Sequence, residues 1–103
     1  MSVLEIIKRN FENEVIFSDR PGILLYTSSS QGDWRELYSV IEEIADENVG
    51  IKVCVVDLDR DPELAKRFAV TGTPTLLILK NGKERFRSLE VLQKEKILEM
   101  LQA

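Results

Sequence analysis

The sequence contains no histidine among its 103 residues. Histidine is the side chain that most often acts as a general base or a metal ligand near neutral pH. Its absence excludes every Ser-His and Cys-His nucleophile pair. The run Ser28, Ser29 and Ser30 therefore has no histidine to activate it, and we expect solvated loop residues there. Carboxylates, lysine and tyrosine remain as possible catalytic groups. The range of possible mechanisms is therefore narrower, but catalysis is not excluded.

Cysteine is nearly absent as well, because Cys54 is the only one. A single cysteine cannot form an internal disulfide, which agrees with a reducing compartment. One cysteine and no histidine are also too few of the usual ligands for a structural zinc site within one chain. Cys54 stands between two valines, where a thiol usually acts as a small hydrophobic side chain, and a redox-sensing role is the alternative. We predict no metal and no cofactor.

The sequence also lacks long apolar runs and an excess of basic residues. Its apolar runs are too short to span a membrane. Lys and Arg total 14 against 18 Asp and Glu, a net charge of -4, whereas nucleic-acid binding requires a basic face. The opening segment MSVLEIIKRNFENE mixes acids and bases with apolar residues, unlike a secretory signal. These features predict a cytoplasmic protein that binds neither nucleic acid nor membrane, and they leave its oligomeric state open.

The length predicts one domain over residues 1–103, with a single core. Ser2 followed by Glu5 has the form of a capping box and predicts a first helix, with apolar residues at helical spacing as far as Phe11. The candidate strands before the last hairpin are the segments 15–17, 23–26, 51–56 and 74–80.

Two further helices are predicted from their caps. Asp33 is a candidate N-cap for a helix that carries apolar residues on one side from Trp34 onward and ends at Asn48. Asp61 is a candidate N-cap for a shorter helix, with Pro62 in the first helical position.

The C-terminal quarter predicts a hairpin and a helix. Asn81-Gly82 is a strong hairpin signal, so the segment 83–88 should return antiparallel to the strand before it. Leu92, Ile97 and Leu101 indicate a last amphipathic helix. The predicted order is α-β-β-α-β-α-β-β-α, which implies an α/β fold with a mixed central sheet covered by helices on both faces.

Several segments together resemble the thioredoxin family over nearly the whole chain. They are EEIADE (42–47), VDLDRDPELAKRFAVTGTPTLLILKNGKE (56–84) and the closing amphipathic helix. Within them, GTPTLLILKNG is similar to the sequence that thioredoxins carry around their cis-proline. The resemblance implies a thioredoxin-like fold and a cis peptide bond between Thr73 and Pro74.

The resemblance also shows where this chain departs from the family. The family's Cys-Gly-Pro-Cys motif falls on Gln31, Gly32, Asp33 and Trp34. In the family the first cysteine attacks as a thiolate and the second resolves the mixed disulfide. The family's buried acid falls on Leu25, and the lysine beside it falls on Val55. The comparison predicts that the dithiol chemistry is lost and that the chain has no catalytic residue, and it favours a protein that is not an enzyme.

This chain keeps more of the family's residues at the positions that line the substrate groove. The predicted partner-binding residues are Trp34, Gly72, Thr73, Pro74 and Glu90. Our first hypothesis is a redox-inactive protein that binds an extended peptide or a partner protein in this groove, as an adaptor or chaperone-like module. The alternatives are an enzyme that holds a small thiol cofactor there, and a structural subunit whose groove is filled by a sister chain.

Overall fold

A computed structural model describes residues 3–30 and 32–103. Within these residues one sheet has five strands, which are β1 Val3–Ile6, β2 Gly22–Thr27, β3 Lys52–Asp57, β4 Thr75–Lys80 and β5 Lys83–Ser88. Their order across the sheet is β1-β3-β2-β4-β5. β1 and β2 pair parallel with β3, whereas β4 runs antiparallel to both β2 and β5. The mixed sheet is therefore confirmed.

Helices cover both faces of this sheet, as predicted. Two α-helices, α1 (Arg35–Glu47) and α2 (Lys94–Gln102), lie on one face. A short π-helical segment (Glu12–Ile16) and a 3-10 turn (Pro62–Ala65) lie on the other. No helix among the described residues combines the length and the apolar character needed to cross a bilayer.

The central strand β2 explains why the core has two halves. All six of its residues are buried, and the apolar run alternates between the two faces. Ile23 and Leu25 pack under α1 and α2, and Leu24 and Tyr26 pack on the opposite side. The Tyr26 hydroxyl donates a hydrogen bond to the Leu64 carbonyl at 2.9 Å. Its burial raises the pKa of the Tyr26 phenol above the ordinary value.

The N-terminal segment differs from the prediction. Residues 3–6 form a strand and not a helix, and residues 15–17 lie at the end of the π-helical segment and not in a strand. The reason is tertiary, because β1 pairs residue by residue with the outer edge of β3, beginning with Val3 opposite Val53. A helix would leave the backbone groups of that edge unpaired. Ser2, the predicted cap, lies outside the described residues.

The predicted hairpin is confirmed between β4 and β5. Asn81 and Gly82 both have positive φ, at 53° and 74°. Gly82 has a second requirement, since a Cβ atom built on it would overlap the Ile16 carbonyl group. The glycine thus allows the hairpin to lie directly against the π-helical segment.

Candidate functional site

Three loops meet at one edge of the sheet. Thr27 at the end of β2 pairs with Asp57 at the end of β3, and Tyr26 pairs with Thr75 at the start of β4. The loops that follow β2 and β3 and the loop that precedes β4 therefore emerge side by side. We call the described residues of these loops, 28–30, 32–33, 58–61 and 72–74, the loop edge.

Gly32 brings the first and third of these loops into contact. Its φ is 66°, and a Cβ atom built on it would lie 2.5 Å from the Thr73 carbonyl oxygen and 2.7 Å from Pro74 Cδ. Only glycine satisfies both the positive φ and the close approach. The bond between Thr73 and Pro74 is cis, as the resemblance implies. Thr75 donates from its hydroxyl to the Gly72 carbonyl at 2.6 Å.

Trp34 stands at the junction between the loop edge and α1. Asp33 was predicted to cap this helix, but Trp34 occupies the cap position and Arg35 is the first helical residue. Asp33 still contributes, because its Oδ1 accepts a hydrogen bond from the Arg35 backbone N–H at 3.1 Å. The indole is half-buried against the Tyr38 ring, with 5.9 Å between ring centroids, and the Arg35 guanidinium lies 5.4 Å from the indole centroid.

Asp59 joins the first two loops, and sequence reasoning missed it. Its carboxylate accepts hydrogen bonds from the Ser28 hydroxyl at 2.8 Å, the Ser29 backbone N–H at 2.8 Å and the Ser29 hydroxyl at 2.6 Å. These bonds, led by those from Ser29, hold the pKa of the Asp59 carboxyl below its usual range. A serine run directly after a buried strand was the available signal, since hydroxyls there need an acceptor.

Glu90, the remaining predicted groove residue, follows β5 and lies near the same end of the sheet. Ser88 pairs with Leu76, two residues after Pro74, so Glu90 follows β5 beside the loop edge. The Ser88 hydroxyl donates to the Glu90 carbonyl at 3.1 Å. The structure thus brings five predicted residues to one edge, namely Gly32, Gly72, Thr73, Pro74 and Glu90, with Trp34 beside them. Gln31 lies outside the described residues, and partner binding by these residues stays a prediction.

The only thiol lies away from the loop edge. Cys54 is in the middle of β3, 3% exposed, on the sheet face opposite to α1. Burial raises the pKa of the Cys54 thiol to about 12. Leu25 is fully buried, and Val55 beside it on β3 is half-buried. Where the family has a buried acid and a lysine, this chain therefore has apolar contact.

A family model described as Thioredoxin matches residues 2–103. The chain belongs to the thioredoxin family. The fold agrees with this membership, since the mixed five-stranded sheet flanked by helices has the thioredoxin-like architecture. The resemblance noted in the sequence is therefore confirmed.

Thioredoxins from several organisms are similar to this chain along almost its whole length. One from Griffithsia pacifica is 32% identical over 103 residues, which cover 99% of this chain and 94% of the relative. One from Rickettsia bellii is 28% identical over 97 residues, covering 93% and 92%. One from Pseudomonas aeruginosa is 26% identical over 102 residues, covering 98% and 94%.

These relatives contradict the prediction of a redox-inactive adaptor. They carry the name thioredoxin, which implies a redox-active protein, and their matches cover 93%, 98% and 99% of this chain. The two alternatives, a small-thiol enzyme and a structural subunit, gain no better support from the fold or from the relatives.

Proposed function

We propose that this chain acts on protein substrates as a thioredoxin and that it contacts them at the loop edge. Membership of the thioredoxin family supports the class of substrate, because thioredoxins act on proteins. The observation that carries the place of contact is the close packing of Gly32 against Thr73 and Pro74. This packing joins two loops into one continuous surface beside Trp34.

The neighbourhood of the loop edge suits contact with another protein. Leu89 is 63% exposed and Val91 is 44% exposed, and both flank Glu90. Exposed apolar side chains beside polar loops are a common feature of protein-binding surfaces. Trp34 is of the residue type that most often contributes strongly to such interfaces.

The thiol of this chain and the proposed contact surface are separate. An exchange through Cys54 would form a mixed disulfide between Cys54 and one substrate sulfur and would release the other sulfur as a thiolate. The two thiols of an added dithiol reductant would then attack in succession, so that Cys54 regains its thiol, the second substrate sulfur is released and the reductant ends as a cyclic disulfide. Such an attack requires the middle of β3 to open, because Cys54 is buried and protonated.

The direct test is reduction of insulin by dithiothreitol in the presence of the wild type or of Cys54→Ser. We expect the wild type to accelerate reduction over a protein-free blank. A gain that Cys54→Ser loses assigns the exchange to Cys54, and a gain that it retains assigns it to direct attack of the reductant on a substrate disulfide held at the loop edge. A wild-type rate equal to the blank overturns the proposed function.

Two matched variants, Gly72→Leu and Gly50→Leu, test whether substrates contact the loop edge. Gly72 and Gly50 both have open space where a Cβ atom would stand, and neither has positive φ. Gly72 belongs to the loop edge, whereas Gly50 lies before β3 at the opposite edge of the sheet. We expect Gly72→Leu to lower the acceleration and Gly50→Leu to leave it unchanged. Equal rates for the two variants would show that substrates do not contact the loop edge.

Three other expectations from the sequence stay predictions. They are a single domain, a cytoplasmic location, and the absence of nucleic-acid and membrane partners.

A further inference from the structure

A cleft of about 530 Å³ lies next to the loop edge, above the parallel half of the sheet. Its floor is formed by residues of three adjacent strands, and its wall by Trp34 and Tyr38 of the α1 side. The floor residues are Val3, Glu5, Thr27, Val55 and Asp57. The cleft exists because α1 packs over β2 and β3 and leaves the outer strand β1 partly uncovered.

The charges in this cleft are of one sign. Glu5 and Asp57 are its two ionisable acids, and none of the described residues that line it is basic. Asp57 is exposed, and its Oδ1 accepts one hydrogen bond, from the Asp59 backbone N–H at 2.9 Å. Glu5 faces Arg60 across 3.6 Å in an exposed ion pair, which is a weak and exchangeable contact.

The aromatic wall already binds a cation of this chain. The Arg35 guanidinium lies 5.4 Å from the Trp34 centroid, although Arg35 does not line the cleft. Guanidinium groups stack on indole rings and form hydrogen bonds with carboxylates in the same plane. The floor also offers the apolar surface of Val3 and Val55, against which the methylene stem of a long basic side chain can pack.

We propose that this cleft binds an arginine side chain of the protein substrate, with the guanidinium between the Trp34 and Tyr38 rings and the carboxylates of Glu5 and Asp57. The proposal rests on the proposed function for its class of ligand, since the arginine belongs to a protein that contacts the neighbouring loop edge. It adds a chemical preference, namely substrates that carry arginine near the contact segment. Charge complementarity and the aromatic wall select this occupant over an acidic or an apolar one.

Trp34 is the only tryptophan in the chain, so its fluorescence reports directly on the cleft. The probe is a short glycine-rich peptide with one arginine, and the control probe carries citrulline, which replaces the guanidinium with a neutral group of similar shape. We expect a saturable fluorescence change with the arginine peptide that weakens at high ionic strength. The citrulline peptide should produce at least about a fivefold weaker response, as loss of a cation–π contact and of charge pairing implies. Calorimetric titration with the same two peptides detects binding that leaves the fluorescence unchanged.

Conservative variants of Glu5 and Asp57, with a control at Glu63, test whether the cleft carboxylates bind the arginine. Asp57→Asn keeps an Oδ1 acceptor for the Asp59 N–H, and Glu5→Gln keeps the size of the side chain. We expect each to weaken arginine-peptide binding by about two- to fivefold. Glu63→Gln removes the same charge from the opposite face of the sheet and should leave binding unchanged. Equal binding of arginine and citrulline peptides, or no binding of either by both methods, overturns the proposal.

The arginine-peptide test and the insulin-reduction test can fail independently of each other. If insulin reduction depends on Gly72 while arginine and citrulline peptides bind equally, the loop edge stands and the arginine preference is wrong. If the arginine peptide binds through Asp57 while wild-type reduction equals the blank, the cleft stands and the thioredoxin activity is wrong.

Discussion

At the scale of single residues, Gly32 and Cys54 show how far one position can depend on its surroundings. Gly32 lies in a loop, yet its lack of a side chain is what allows that loop to touch Thr73 and Pro74. Cys54 carries the most reactive functional group in the chain, yet its burial removes most of that reactivity. Judged by residue type alone, Cys54 would be ranked as the functionally important residue and Gly32 as an ordinary loop residue.

Gly32→Ala should destabilise the protein by about 1–3 kcal/mol, because alanine at positive φ is strained and its Cβ would clash with the Thr73 carbonyl. Urea unfolding measures the change. Gly50→Ala is the control, since no atom lies within 4 Å of its Cβ position, and its effect should stay within about 1 kcal/mol. A stable Gly32→Ala protein with an unchanged loop edge would contradict the described packing.

Cys54 should react slowly with iodoacetamide at pH 8 in the native protein and quickly in urea. A thiol with a pKa of about 12 is ionised to only about one part in ten thousand at that pH. Because the folded pKa is raised, the stability that the buried neutral thiol contributes is complete below the unfolded pKa and decreases as pH rises above it. Native alkylation at the rate of the unfolded chain would show that Cys54 is accessible without unfolding.

At the scale of elements, contacts between separate loops join the parts of the loop edge. Asp59, from the loop after β3, binds Ser28 and Ser29 of the loop after β2. Gly32, from the loop after β2, packs on the loop before β4. The first loop thus has a neighbour on each side, and a change in either contact should move residues near Trp34.

Asp59→Asn should lower the melting temperature at pH 7, since three donors lose a charged acceptor. The folded pKa of Asp59 lies below its ordinary value of 3.8. Its contribution is therefore present above that value and is lost as pH falls through the folded pKa. Melting curves of both proteins should differ at pH 7 and converge toward pH 2. A difference that stays constant down to pH 2 would place the effect elsewhere.

The elements also show what the sequence could and could not predict. β2, β3, β4 and the Asn81-Gly82 hairpin carry local signals, either an apolar run or a turn, and all four were predicted within about two residues. A helix was predicted in place of β1 because Val3, Leu4, Ile7 and Phe11 recur at helical spacing after Ser2 and Glu5. Pairing with the distant β3 is what makes residues 3–6 a strand. The contact of Gly32 with Pro74 and the Asp59 bonds to the serines join separate loops, so no local pattern identified the partner in either contact.

At the scale of the whole molecule, the two outer strands protect the sheet by different means. β5 is protected by charge, with Lys83, Glu84, Arg85 and Arg87 along its length. The Arg87 guanidinium also binds Glu84 and the carbonyls of Phe68 and Ala69, which fastens that edge to the chain after the 3-10 turn. β1 has a single charge, Glu5, among Val3, Leu4 and Ile6.

Glu5→Val should therefore promote association of the protein at high concentration, because it leaves an apolar outer strand with open backbone groups. Light scattering over a concentration series measures the effect. Glu63→Val is the control, since it adds the same apolar surface away from any strand. Equal scattering by the two variants would show that the charge on β1 does not protect this edge.

The pairing of β1 with β3 also has a consequence during synthesis. Val3 pairs with Val53, about half the chain away, so β1 leaves the ribosome long before its partner strand exists. Until then its apolar residues have only nascent chain or a chaperone to contact. The β4–β5 hairpin, by contrast, can close as soon as it emerges, because its strands are joined by two residues. β1 is thus committed to the sheet only after residue 57 has left the exit tunnel, and slow translation before that point would lengthen the exposure of β1.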